Sequence, residues 1–179
     1  MQPDPIFVIA AAVAVAVILA SAATHKLRAP ARFANQVEDY QLLPRGLVRP
    51  VARVLPFIEV AVAFALLVPA SRPVAAWVAA TLLAGYAGAI AINLWRGRRD
   101  IDCGCAGPEQ AQPIRPVLLA RNAVLVGLAL IASLAPLSRE LGVFDSFVVI
   151  ASSAVALLIY AAADGLMANA PRLLKLIGR

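Results

Sequence analysis

Cysteine, histidine and charge are all scarce in this sequence. Two cysteines and one histidine are too few for a disulfide-stapled secreted scaffold or for a four-ligand structural zinc site built on histidine. Aromatic residues at 6% and charged residues at 15% are low for a packed soluble core beneath a solvated surface. The net charge of +6 is not gathered on a soluble basic face, which excludes nucleic acid as a partner.

Apolar sequence is what the chain has in abundance. Hydrophobic residues make up 62% of its 179 residues, and the mean hydropathy is +0.84. Runs long enough to cross about 30 Å of hydrocarbon fall at residues 6–24, 51–68, 74–95, 117–135 and 144–163. These predict an all-α integral membrane bundle of about five transmembrane helices, a single domain over residues 1–179, with membrane lipid as its surroundings. The first run carries the small-residue pattern Ala20-Ser21-Ala22 of a cleavage site, but no positive charge precedes it. It is therefore read as a helix and not as a signal peptide.

The connections carry further signals. Arg-Pro-Val occurs at residues 49–51, 72–74 and 115–117, where proline suits a first helical turn and arginine a headgroup anchor; each is expected to start a helix. Residues 30–43 place Phe33, Val37 and Tyr40 on one face and predict a short amphipathic helix in the interface. The short links after the second and fourth spans predict that their flanking helices are antiparallel neighbours. The small residues Ala84, Gly85, Gly88 and Ala89 predict close helix contact. Counting Lys and Arg gives six in the first loop, five around the loop at 96–115, three in the tail and two, Arg72 and Arg139, on the other face. The positive-inside rule then puts the N-terminus outside and the 96–115 loop in the cytoplasm, in the inner membrane.

Polar groups in or beside spans are costly, so each needs a reason. Glu59 lies well inside the second span; Arg121 and Asn122 lie one turn into the fourth; Asn93 ends the third; His25 and Lys26 follow the first; Asp164 closes the fifth. In a five-span arrangement all of them gather towards the leaflet of the 96–115 loop. Glu59 is expected to pair with Arg121, Asn93 or Asn122, or to move protons; His25 has an unperturbed pKa suited to proton exchange; Asp164 reads as a helix-end residue.

That loop holds both cysteines, in "RRDIDCGCAG" at residues 98–107. A bond between Cys103 and Cys105 needs a sharp turn, which Gly104 permits, and the small ring is expected to be strained and readily reduced. Arg96, Arg98 and Arg99 favour thiolates while Asp100 and Asp102 oppose them. On spacing alone, redox exchange, metal binding with His25 and inert thiols all stay open.

The segments "SAATHKLRAPARFANQVEDYQLLP" at 21–44, "LPFIEVAVAFALL" at 55–67, "INLWRGRRDIDCGCAG" at 92–107 and "RNAVLVGLAL" at 121–130 resemble the MauE family of methylamine utilisation proteins, within the broader DoxX-like group. The resemblance covers nearly the whole chain. It implies a membrane protein required for maturation of methylamine dehydrogenase, particularly its disulfide-rich small subunit, alongside a thioredoxin-like periplasmic partner, MauD. Carried over by position, the family pattern falls on His25, Lys26, Glu59, Asn93, Cys103, Cys105, Arg121 and Asn122. It favours redox exchange by Cys103 and Cys105. The reading that follows is a thiol-disulfide oxidoreductase or isomerase without a metal, in which Glu59 and His25 handle protons and the rest form a polar cluster. The alternatives are a non-catalytic adaptor for the thioredoxin-like partner and a small metal- or solute-handling carrier. No cofactor is required by the sequence; a quinone among the helices is a candidate. Dehydrogenase maturation is periplasmic, so the resemblance pulls against a cytoplasmic cysteine loop, and the charge count is preferred.

Overall fold

Helix α1, Pro5–Arg28, is the element around which the others assemble. Asp4 caps it by accepting a hydrogen bond from the Ile6 N–H at 2.9 Å, and Pro5 occupies its first position, the two devices that satisfy a helix start at least cost. A computed structural model of the protein describes residues 2–103 and 112–176, with side chains as far as residue 169. The expected turn at Gly104 and the place of Cys105 lie outside the described residues, as do the side chains of Arg172, Lys175 and Arg179.

Five more helices follow: α2 Pro30–Asp39, α3 Arg45–Leu67, α4 Arg72–Trp95, α5 Pro116–Ala132 and α6 Val143–Leu176. The structure is the expected all-α membrane bundle, with the short amphipathic helix in its expected place. Helices α1, α3, α4 and the Val143–Asn169 part of α6 are long and apolar enough to cross a membrane. Helix α5, at 17 residues, is at the short end of the spanning range.

Small side chains bring the helices together. Ala11, Ala12, Val15 and Ala16 of α1, Val62 and Ala63 of α3, Ala75, Ala76, Ala79 and Ala80 of α4, and Ala129 and Ala132 of α5 form one buried cluster. In lipid there is no hydrophobic drive between helices, so this close approach supplies the packing energy. The stripe expected to do this in α4 does not. Ala84 and Gly85 are exposed, and a Cβ on Gly85 or Gly88 would meet nothing within 4 Å. The alanines at i, i+4 one turn and more earlier take its place.

Two further expectations are corrected. Arg-Pro-Val starts α4 and α5, but Pro50 is the sixth residue of α3, which begins after Pro44. The carbonyl that Pro50 leaves without a donor belongs to exposed Gly46, where water can reach it, so the interior proline is tolerated. The 10 residues between α5 and α6 also do not make these helices packed neighbours: α6 lies against α1. Its N-terminal end is fastened there by Arg139, which donates to Asp4 at 2.9 Å and to Asp145 at 2.8 Å, while the Leu137 N–H donates to the Pro3 carbonyl at 2.9 Å.

Removing this clamp with Arg139→Ala is expected to raise amide exchange across residues 137–150 and leave the α1, α3, α4 and α5 core protected, measured by hydrogen exchange in detergent. Acid acts in the same direction. Asp4 is held below its ordinary value of 3.8, first by the side-chain hydrogen bond from Arg139 and next by the Ile6 N–H. Its contribution is therefore complete above the ordinary carboxylate range and is lost as pH falls through the lowered value.

Candidate functional site

Polar residues of all six helices meet at the end of the bundle opposite Arg139. Lys26 and Glu59, 5% and 0% exposed, form a buried ion pair between α1 and α3. The same Glu59 oxygen, Oε1, accepts from the Tyr86 hydroxyl of α4 at 2.6 Å, and Lys26 Nζ lies 3.4 Å from that hydroxyl. The ammonium also sits 4.7 Å from the Tyr86 ring centroid and 5.1 Å from that of Phe33, a cation–π arrangement that partly replaces lost hydration. Glu59 thus pairs with Lys26, not with Arg121, Asn93 or Asn122 as expected. The pairing turns on which way each helix is rotated, which residue spacing along separate spans does not specify.

Arg121 is engaged elsewhere. Its Nη1 donates to Asp164 of α6 at 2.7 Å and its Nη2 lies 3.8 Å from Cys103 Sγ, with its guanidinium 6.0 Å from the Tyr160 ring. Asp164 is therefore a charge partner in the middle of a helix that continues to Leu176, not the helix-end residue expected. It joins α6 to α5 where their backbones do not pack.

The segment bearing Cys103 is held from three sides. Residues 101–103 run antiparallel to 112–114, with Cys103 N–H donating to the Gln112 carbonyl at 2.8 Å and Ile114 N–H to the Ile101 carbonyl at 3.0 Å. Asp102 accepts from Arg32 at 2.9 Å and Gln36 at 2.8 Å, both on α2. The Tyr40 hydroxyl donates to the Cys103 carbonyl at 3.3 Å. Asn93 completes the tie: its Nδ2 donates to the Tyr40 carbonyl at 3.1 Å and its Oδ1 accepts from Arg98 at 3.1 Å. Helix α4 can stop there because Gly97 takes φ +75, a conformation that closes a helix and suits glycine. Cys103 ends up buried, among Ile90, Ile101, Ile114 and Leu118.

Two cavities flank this assembly. One, of about 450 Å³, is lined by His25, Glu59, Arg121, Asn122, Tyr160 and Asp164 among others. Among the described residues, buried His25 Nδ1, Glu59 Oε2 and Asn122 Nδ2 have no hydrogen-bond partner, so the cavity is wet or takes a polar guest. The other, of about 230 Å³, lies under α2 and is mostly apolar, with Cys103 in its wall. Lys26 and Tyr86 line both.

With this geometry in place, known proteins supply the family. The family model described as methylamine utilisation protein MauE matches residues 4–135. The chain belongs to the MauE family. Proteins named methylamine utilization protein MauE from Methylophilus methylotrophus, Paracoccus denitrificans and Methylorubrum extorquens are similar to it. The first is 40% identical over 92% of this chain and 87% of its own length. The second is 39% identical over 90% and 87%, and the third 38% identical over 86% and 84%. No solved structure matches the chain.

Of the residues that the MauE resemblance and membrane energetics single out, His25, Lys26, Glu59, Asn93, Cys103, Arg121 and Asn122 all lie at this one end, while Cys105 is outside the described residues. Tyr86, Gln112 and Tyr160 are additions of the structure, as are the hydrogen-bonding roles of Tyr40 and Asp102, which the sequence marks only as a helix-face residue and as a charge near the thiols. The signal exists for Tyr86 and Tyr160, since a phenol inside a span carries a polar atom that needs a partner. For Asp102 it lay in the shared polar face of Arg32 and Gln36 on α2.

Breaking the central pair tests its weight. Lys26→Met strands a buried carboxylate, and a cost of about 3–5 kcal/mol is expected, read as a lowered midpoint of thermal unfolding in detergent. Lys26→Met combined with Glu59→Leu is expected to recover most of that loss. Equal losses in both variants would show that packing, not charge, sets the cost.

Proposed function

We propose that the protein is an inner-membrane thiol-disulfide protein of methylamine utilisation, in which Cys103 and Cys105 cycle between dithiol and disulfide. In doing so it supports maturation of methylamine dehydrogenase, in particular disulfide formation or isomerisation in its small subunit, together with a thioredoxin-like partner of the MauD kind. The observation that carries this reading is the Arg121 guanidinium 3.8 Å from Cys103 Sγ, itself fixed by Asp164 at 2.7 Å. A cation beside sulfur favours the thiolate, which is the form that attacks a disulfide. An inert buried thiol has no use for it. Membership of the MauE family supplies the biological setting.

The steps follow from thiol chemistry. A thiolate attacks the partner's disulfide, one partner sulfur leaves as thiolate and takes a proton, and the second cysteine resolves the mixed disulfide by forming the Cys103–Cys105 bond; run backwards, the same steps oxidise a partner dithiol. The proton must come from or go to a nearby group. His25 and Glu59 line the polar cavity together with Arg121, so that cavity offers a route between the cation beside the sulfur and the bundle end.

Cys103→Ser with Cys105→Ser is expected to abolish mixed-disulfide trapping and leave the dehydrogenase small subunit incompletely bonded, seen by thiol-specific mass tagging; normal maturation by this variant would overturn the reading in favour of an adaptor. Arg121→Gln combined with Asp164→Asn, which leaves no carboxylate stranded, is expected to slow alkylation of Cys103 by about tenfold, equivalent to about 1.4 kcal/mol of thiolate stabilisation.

The positive-inside rule, applied to the charge distribution, supports a cytoplasmic Cys103 and an N-terminus outside. A membrane-impermeant maleimide applied to intact cells is expected to spare the cysteines. Strong labelling from outside would reverse the topology and set the thiols beside the periplasmic dehydrogenase.

A further inference from the structure

The thiol exchange proposed above gives no use to the apolar cleft beneath α2, although Cys103 stands in its wall. Phe33 and Val37 of α2, Val51 and Leu55 of α3, and Ala89 and Ile90 of α4 form its walls, and Cys103, Lys26 and Tyr86 border it. A peptide entering such a space would bury an N–H and a C=O at nearly every residue with only Lys26, Gln36, Tyr40 and Tyr86 in a mostly apolar lining to meet them, and each group left unpaired costs several kcal/mol. The cleft suits a guest whose body is apolar and whose polar atoms are few.

Lys26 says which polar atoms. An ammonium has three donors. One goes to Glu59 and a second lies towards the Tyr86 hydroxyl at 3.4 Å; among the described residues the other contacts of this 5% exposed group are the Phe33 and Tyr86 rings. Lys26 also lines the cleft, so its ammonium is a donor that a carbonyl oxygen bound there can meet. An apolar ring carrying carbonyl groups, small enough for about 230 Å³ and lying beside a cysteine, is the description of a quinone.

We infer that the cleft binds the ring of a lipid-soluble quinone, with one carbonyl at Lys26, as the electron acceptor for the cysteine pair. This rests on the thiol-disulfide reading above. The balance closes without a further reagent: two thiols lose two protons and two electrons and gain an S–S bond, and the quinone takes both protons and both electrons to become a hydroquinone. The group connecting the two sides is already in place, since Tyr86 and Lys26 border the cleft and also meet Glu59, whose second oxygen opens on the polar cavity.

Decylubiquinone and the full-length protein in lipid nanodiscs provide the test. Reduced protein is expected to consume one quinone as its two thiols disappear, followed by quinone absorbance and by thiol titration. Ala89→Phe, which fills the cleft, is expected to raise the half-saturating quinone concentration at least about tenfold, while reaction with a small water-soluble disulfide stays within about twofold. Val51→Phe, on the opposite wall, is expected to do the same if Ala89→Phe fails to fold. Cys103→Ser is expected to keep saturable quinone binding, measured as a rise in thermal midpoint, and to lose quinone reduction. Quinone reduction unaffected by filling the cleft overturns the inference. So does an absence of saturable binding in a protein whose cysteines still exchange with a partner, and that result leaves the thiol reading standing. Saturable binding in the cleft without thiol oxidation removes the acceptor role and counts against the thiol reading itself.

Discussion

The Lys26–Glu59 pair is the constraint on which this end of the bundle depends. Either charge alone would be prohibitive at this depth, and Glu59 is fully buried. Together they are bearable only because Tyr86 donates to the carboxylate and two aromatic rings face the ammonium. That requirement fixes relations that apolar packing leaves loose. Alanine-lined helices can slide and rotate on one another with little penalty, since one small side chain resembles the next. The ion pair sets α1 against α3, and the tyrosine sets α4 against both. A buried pair of this kind is weak evidence for stability; its contribution here is to register.

A second layer of polar ties builds on that register. Asn93 joins α4 to the end of α2 through the Tyr40 carbonyl, and Tyr40 and Asp102 then hold the cysteine segment against α2. The amphipathic helix is thereby a roof, anchored at both the bundle and the loop. Its apolar side, with Phe33 buried, covers the cleft, while its polar side meets Asp102. Arg121 approaches Cys103 from the other cavity and is steadied by α6 through Asp164. Cys103 therefore sits with its sulfur near a cation on one side and an apolar space on the other.

How far this was legible in the sequence follows from what lipid enforces. The spans and the amphipathic helix could be read because unpaired backbone in hydrocarbon must be helical and the side chains around it apolar. The gathering of His25, Lys26, Glu59, Asn93, Arg121 and Asn122 could be read because each charge or amide in a span is an anomaly, and alternating span direction places the anomalies at one end. Which partner each takes could not. Glu59 meets Lys26 and leaves Arg121 for Asp164 because of helix rotation and because α6 docks on α1, and both depend on contacts far apart in sequence. Pro50 misled for a related reason: a proline near a helix start and one at it differ only in whether the orphaned carbonyl can find water, and Gly46 is exposed.

Electron transfer between a dithiol and a quinone moves protons as well, and the two reactants prefer opposite surroundings. A thiolate needs a cation and access to exchangeable protons; a quinone ring needs apolar walls. Cys103 meets both demands: it stands in the wall of the apolar cleft, its sulfur lies 3.8 Å from Arg121, and the polar cavity that Arg121 lines shares Lys26 and Tyr86 with the cleft. A carboxylate that holds an ammonium and a phenol on one oxygen, and has its other oxygen open to a polar space, can pass a proton from one side to the other by shifting which group it is bonded to. The pair that fixes helix register also borders both cavities, Lys26 the cleft and Lys26 with Glu59 the polar one, and the proposed chemistry has to work across it.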